Sequence, residues 1–403
     1  MIDYFHQADD PYSHLLAQLL PAFCARYGVE IRPWLVPPPD DAAAPERERL
    51  VAYARRDAAR LAAGYGLAFP AGAVAADPEA LALAQRALTR ALAKDDFAAR
   101  AVEVGAALWS GNKAALSALA PASPEEARQA SADGEAERRR LGHYLGGMLN
   151  YDGMWFWGVD RLGHLEERLA AAGLDRSPGA PPLAPYRDFQ LGPVRASARA
   201  PVIEMWFSFR SPYSWVAFPR ARQLARHYGA ELRLRYILPM VMRGLPVPPI
   251  KSMYIVIDTK RQADRAGLPF GPISDPVGPG AERALAVLHH AVPLGLGEEF
   301  AELALKAAWA EGVALASDEG LYGIARWAGL TDAQTDAALA DESWRPAAEA
   351  NRQALFDAGL WGAPTYRVDG GAAHWGQDRL WVLEEDLIRR LERDDFGLNQ
   401  PKT

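Results

Sequence analysis

Ser211-Pro212-Tyr213-Ser214 pairs a serine, a strong helix-capping residue, with a proline suited to the first helical position. By residue type alone this is a helix start. The same geometry offers unpaired N–H groups and the positive end of a helix dipole to an anion such as a thiolate, and the hydroxyl adds one hydrogen bond. Gly362-Ala363-Pro364-Thr365 is a turn entering a strand. Trp375-Gly376-Gln377-Asp378-Arg379-Leu380 opens a helix. There Asp378 either caps that helix or joins Gln377 in holding the amino-acid end of a ligand; a carboxylate has acceptor sites enough for both. Lys251 follows a proline-rich loop and is one of 6 lysines among 44 basic residues. A lone lysine is ordinarily solvated, so its rarity raises interest without deciding a role.

Other features exclude chemistries. His289 and His290 are adjacent, so on a helix they point about 100° apart and do not form the i, i+4 pair that chelates metal. Cys24 is the single cysteine, which leaves no intramolecular disulfide, Cys-x-x-Cys redox pair or multi-cysteine zinc site. The net charge is −7 and the basic residues are scattered, against nucleic-acid binding. No apolar run approaches the roughly 18 residues of a membrane-spanning helix. The opening residues lack a basic and an apolar region, so no secretory signal is expected and a cytoplasmic location is.

The elements that position these residues occur twice. Residues 2–13, IDYFHQADDPYS, match residues 203–214, IEMWFSFRSPYS, at an offset of 201 that still holds at Tyr27-Gly28 against Tyr228-Gly229. WGVDRLGHLEERL from Trp157 matches WGQDRLWVLEEDL from Trp375 at an offset of 218. Two tandem domains account for the 403 residues: 1–171, a proline-rich linker over 172–200, and 201–395. The second reads as a strand from Val202, a helix from Ser211 to His227, a strand from Glu231, an all-helical stretch (about 252–358), two short strands, and a helix from Asp378. That order, α/β with a helical subdomain inserted into each copy, resembles a thioredoxin-like fold.

The strand with FRSPYSWVAF, then PIKSMYIVIDTKRQADRAGLPF, LKAAWAEGVAL, LWGAPTYRVDG and HWGQDRL make the second copy similar to the 2-hydroxychromene-2-carboxylate isomerase and kappa-class glutathione transferase family, within the DsbA-like thioredoxin group. The resemblance spans about residues 202–393. It implies glutathione as cofactor. Ser211 matches the family's catalytic serine, standing where redox relatives carry a nucleophilic cysteine. Pro364 matches the cis-proline, with the Ala363 backbone pairing with the cysteinyl unit. Gln377 and Asp378 match the pair at the γ-glutamyl end, and Lys251 matches a lysine at the glutathione site. One departure is Met242, where the family often has asparagine nine residues before the lysine. The first copy departs further: Asp10 replaces the serine, and the offset of 218 sets Tyr144-Leu145-Gly146-Gly147 against Gly362-Ala363-Pro364-Thr365. A carboxylate at Asp10 repels a thiolate. The first copy is therefore read as degenerate, packing on the second as an internal pseudo-dimer.

The function implied is a glutathione-dependent isomerase or transferase acting on an aromatic or unsaturated small molecule. The alternatives are a non-catalytic glutathione- or peptide-binding protein and a thiol–disulfide oxidoreductase. The last fails because Ser211 and Ser214 occupy both redox positions. Trp206, Trp215 and Trp361 suit a flat apolar ligand, although tryptophan also fills cores.

Overall fold

Strand β1 (Ile2–His6), helix α1 (Pro11–Tyr27) and strand β2 (Ile31–Leu35) open the chain as a βαβ unit. The computed structural model describes residues 1–93, 96–119, 122–195, 197 and 199–398, with side chains to residue 393. Helices α2 (Arg47–Tyr65), α3 (Pro78–Ala91), α4 (Phe97–Trp109), α5 (Lys113–Leu119) and α6 (Pro124–Leu141) follow. Strands β3 (Met148–Tyr151) and β4 (Met154–Trp157) and helix α7 (Gly158–Ala171) complete the first unit, Met1–Arg187.

The second unit, from Asp188 onward, repeats the order. It has β5 (Val202–Phe207), α8 (Pro212–Tyr228) and β6 (Glu231–Tyr236), then a short 3-10 turn at Met240–Arg243. The insertion is α9 (Pro249–Arg265), α10 (Pro279–Ala291), α11 (Gly297–Lys306), α12 (Asp318–Trp327), α13 (Asp332–Leu339) and α14 (Trp344–Asp357). β7 (Thr365–Val368), β8 (His374–Trp375) and, after a 3-10 turn at Gln377–Arg379, α15 (Leu380–Leu398) close it.

The two sheets have the same order, β2-β1-β3-β4 and β6-β5-β7-β8. In each, the first pair is parallel and the rest antiparallel. β5 is buried along its whole length because both of its faces are covered. Ile203, Met205 and Phe207 enter the core with Leu224 of α8 and Leu383 of α15. Trp206 points the other way and donates its indole N–H to the carbonyl of Asn351 in α14 at 2.8 Å. Beyond β5, the Phe209 carbonyl accepts the indole N–H of Trp309 at 2.8 Å, and Trp309 stacks on Phe270. The inserted helices thus fix the exit of β5, where Ser211 begins the next helix.

The proline-rich stretch is not a free connector. Leu183 and Ala184 each donate a backbone N–H to Glu166 at 2.9 Å, holding that part to the first unit. Gln190 and Gly192 donate to Glu384 at 2.7 and 3.3 Å, holding the next part to the second. Trp206, Trp215 and Trp361 are all buried. They fill core, and Trp215 donates to the Pro269 carbonyl at 2.8 Å.

Candidate active site

Ser211 is extended in backbone (φ −97°, ψ 109°) and caps α8, with Pro212 in the first turn. Its hydroxyl accepts from the Ser214 N–H at 3.2 Å and donates to the Ala363 carbonyl at 3.2 Å. The Ala363–Pro364 bond is cis. The two stretches, 152 residues apart, therefore meet at one hydrogen bond. The Gly376 N–H donates to the Pro364 carbonyl at 3.0 Å, so the loop before α15 is fastened to the same turn. Gly376 has φ +116°, and a Cβ there would lie 2.5 Å from an Asp378 carboxylate oxygen, so only glycine serves. Asp378 lies beside Arg379, 3.3 Å from Nη1.

Lys251 stands in the first turn of α9, and burial pulls its ammonium down to about 8. It shares a face of α9 with Asp258, seven residues and about 10 Å along the axis away. Asp258 is fully buried and accepts the Tyr213 hydroxyl at 2.7 Å. That bond ties the first turn of α8 to α9 and turns the lysine's face of α9 toward the start of α8. Sequence reasoning passed over the Tyr213–Asp258 pair. The signal was present: the offset of 201 continues through Tyr53 and Tyr254, Asp57 and Asp258, Gly66-Leu67 and Gly267-Leu268, and Phe69 and Phe270. In the first unit Tyr12 and Tyr53 both donate to Asp57, at 2.9 and 3.1 Å. A pair kept in both units is packing machinery.

Gln377 departs from the expectation. It is 1% exposed; its amide N–H donates to Gln262 at 3.0 Å and its amide oxygen accepts from Arg220 at 3.2 Å. The side chain lies behind the loop, leaving Asp378 as the side chain at its front. Met242 lies in the 3-10 turn that precedes α9.

In the first unit Asp10 caps α1, accepting from Tyr12 N–H at 3.2 Å and from Ser13 N–H and Oγ at 2.9 and 2.7 Å. Burial pushes it up to about 6, against the pull of those hydrogen bonds. The offset of 218 misplaced the partner turn by one residue. Tyr4 pairs with Leu149 where Met205 pairs with Tyr366, and Gly158 N–H donates to the Gly147 carbonyl at 2.8 Å as Gly376 does to Pro364. Gly147, not Gly146, therefore stands where Pro364 stands; the slip arises in the β3–β4 turn, which is one residue shorter than its counterpart. A Cβ on Gly147 would lie 2.9 Å from Asp10 Oδ2. The longer capping side chain fills the space that the proline takes in the second unit.

His289 accepts or donates at Tyr236 Oη (2.5 Å) and His290 pairs with Asp341 (2.8 Å), on separate partners. No cluster of three or more His, Cys, Asp or Glu among the described residues is arranged to hold a metal ion. No helix among them is long and apolar enough to cross a membrane.

A mixed four-stranded sheet, a capped helix facing a cis-proline and a helical insertion define a thioredoxin-like domain. Residues 202–388 match the DSBA-like thioredoxin domain family. A 2-hydroxychromene-2-carboxylate isomerase from Pseudomonas putida is 24% identical over 206 residues, 49% of this chain and 99% of that protein. A second, from Pseudomonas sp. (strain C18), is 20% identical over 192 residues, 45% of this chain and 88% of its own. A solved 2-hydroxychromene-2-carboxylate isomerase is 22% identical with a TM-score of 0.41, covering 49% of this chain and all of that one.

Proposed function

We propose that the second unit is a glutathione-dependent isomerase or transferase for an aromatic or unsaturated electrophile, and that the first unit is a degenerate copy arisen by tandem duplication. The observation that carries this is the Ser211 hydroxyl at the N-terminus of α8, facing the cis Ala363–Pro364 bond at 3.2 Å. A hydroxyl there can stabilise a thiolate but cannot form a disulfide. The relatives named above as isomerases support the same reading.

The donor set suits glutathione in chemistry. The α8 N-terminus and Ser211 suit a thiolate. The backbone at Ala363 suits a peptide. Asp378 suits an ammonium, and Lys251 suits a carboxylate. The chemistry supplied by bound glutathione is a sulfur nucleophile that adds reversibly to an electrophilic carbon. Ser211 gives its hydrogen bond to that sulfur in place of the Ala363 carbonyl. Lys251, with its ammonium near 8, remains mostly protonated at neutral pH.

The test is Ser211→Ala. A hydrogen bond to a charged acceptor contributes roughly 1.5–3 kcal/mol, so the bound thiol should titrate about one to two units higher. Ultraviolet thiolate absorbance followed against pH reads this directly, after folded fractions are matched. An unchanged thiolate pKa leaves Ser211 as a helix cap and ends the proposal.

A further inference from the structure

Arg220 lies in the middle of α8 and is almost wholly buried. Its guanidinium reaches two places. Nη1 donates to the Gln377 amide oxygen at 3.2 Å and to the Gln377 backbone carbonyl at 3.4 Å. Nη2 is paired with Asp188, at the start of the second unit, and Phe189 stacks on the same guanidinium with 5.4 Å to its ring centroid. Gln377 also donates to Gln262 of α9. A polar chain thus runs from Asp188 through Arg220 to Gln377, directly beside Asp378.

The first unit shows what this place requires for folding alone. At the positions of Arg220, Gln262 and Gln377 it has Leu19, Leu61 and Val159. There Leu61 and Val159 are buried and Leu19 is partly buried. Replacing them with a buried guanidinium and two amides costs desolvation that the pairing only partly returns. A stability role therefore does not explain the chain. What accompanies it is the ligand-facing set: the second unit has Ser211, Pro364 and Lys251 where the first has Asp10, Gly147 and Leu50.

We infer that Asp188 is a positioning residue for the γ-glutamyl end of the ligand, acting through Arg220 and Gln377 to fix the loop that presents Asp378. This rests on the glutathione reading for the identity of the ligand. The holding of the loop stands on the hydrogen bonds alone. The segment that joins the two units would then be part of the site's support.

The experiment uses the full chain and the variants Asp188→Asn, Asp188→Glu and Arg220→Leu, the last placing the first unit's residue in the second. Hydrogen exchange of the Gly376–Leu380 amides is compared with that of β5 and β7. Binding is measured with glutathione and with cysteinylglycine, which lacks the γ-glutamyl group. Asp188→Asn and Arg220→Leu should speed exchange of the loop about tenfold relative to the strands. They should weaken glutathione about tenfold and leave cysteinylglycine unchanged, and Asp188→Glu should restore both readouts. Unchanged loop exchange overturns the inference, whatever glutathione does. Equal losses for glutathione and cysteinylglycine overturn it too, since they mark a general loosening. Faster loop exchange in a chain whose wild type binds no glutathione supports the positioning of the loop and sinks the glutathione reading instead.

Discussion

Asp10 and Ser211 cap equivalent helices, and each has the opposing turn that its size permits. Serine leaves room for Pro364, whereas aspartate meets Gly147 at a distance no Cβ tolerates. The carboxylate has a cost of its own, because burial raises Asp10 to about 6. The folded-state value lies above the unfolded one, so its contribution is present at low pH and lost as pH rises through about 4 to 6. Serine caps a helix about as well as aspartate. Asp10→Ser should therefore gain on the wild type as pH rises. The stability difference should grow by roughly 2–3 kcal/mol between pH 4 and 7.5, two pKa units' worth. Chemical unfolding of both proteins at the two pH values measures it, and a pH-independent difference would show that Asp10 is ionised at no cost.

Helix starts, strands and the order of elements were legible because each rests on local pattern. Ser211-Pro212 marks a cap, the alternation of β5 neighbours marks strands, and Gly229 in the left-handed conformation ends α8 as expected of a C-terminal glycine. What escaped were pairings between residues distant in sequence. Arg220 and Gln377 lie 157 residues apart and the pair has no counterpart in the first unit; Tyr213 and Asp258 lie 45 apart, a spacing legible only through its repeat at Tyr12 and Asp57. Gln377 and Asp378 read alike as neighbours holding a ligand's amino-acid end, but successive residues of the 3-10 turn there point about 120° apart, and the Gln377 side chain is bonded to Gln262 and Arg220. The element-scale prediction follows from Asp258. Removing its carboxylate takes an acceptor from the Tyr213 hydroxyl, and a hydrogen bond to a charged group contributes about 1.5–3 kcal/mol. Asp258→Ala should lower the unfolding free energy of the second unit, measured by urea denaturation, by that amount, while Asp258→Asn, which keeps an acceptor, should lose less. Equal losses would mean that the carboxylate's charge carries the effect, and not its volume or its capacity to accept the Tyr213 hydroxyl.

Each unit carries the same anchor for the joining segment: Tyr27 donates to Glu166 in the first at 3.1 Å, and Tyr228 to Glu384 in the second at 2.8 Å. Their histidines are treated differently. In the first unit burial lowers His6 to about 3, His14 to about 4 and His143 to about 3. In the second, His290 and His374 lie against the carboxylates of Asp341 and Asp386 at 2.8 and 2.7 Å. A buried histidine held neutral binds fewer protons folded than unfolded. Its stabilising contribution is present above the unfolded value near 6.5 and is lost as pH falls toward the folded one. Asp10 works in the opposite direction, but it is one group shifted by about two units against three shifted by more. The first unit should therefore be the acid-labile one. Limited proteolysis of the full chain at pH 4.5 should cut within residues 1–187 while the second unit stays intact, and His143→Phe, which removes one titrating group from the core, should slow that cleavage. Cleavage that begins in the second unit, or a rate indifferent to His143, would show that the buried imidazoles do not govern the acid response.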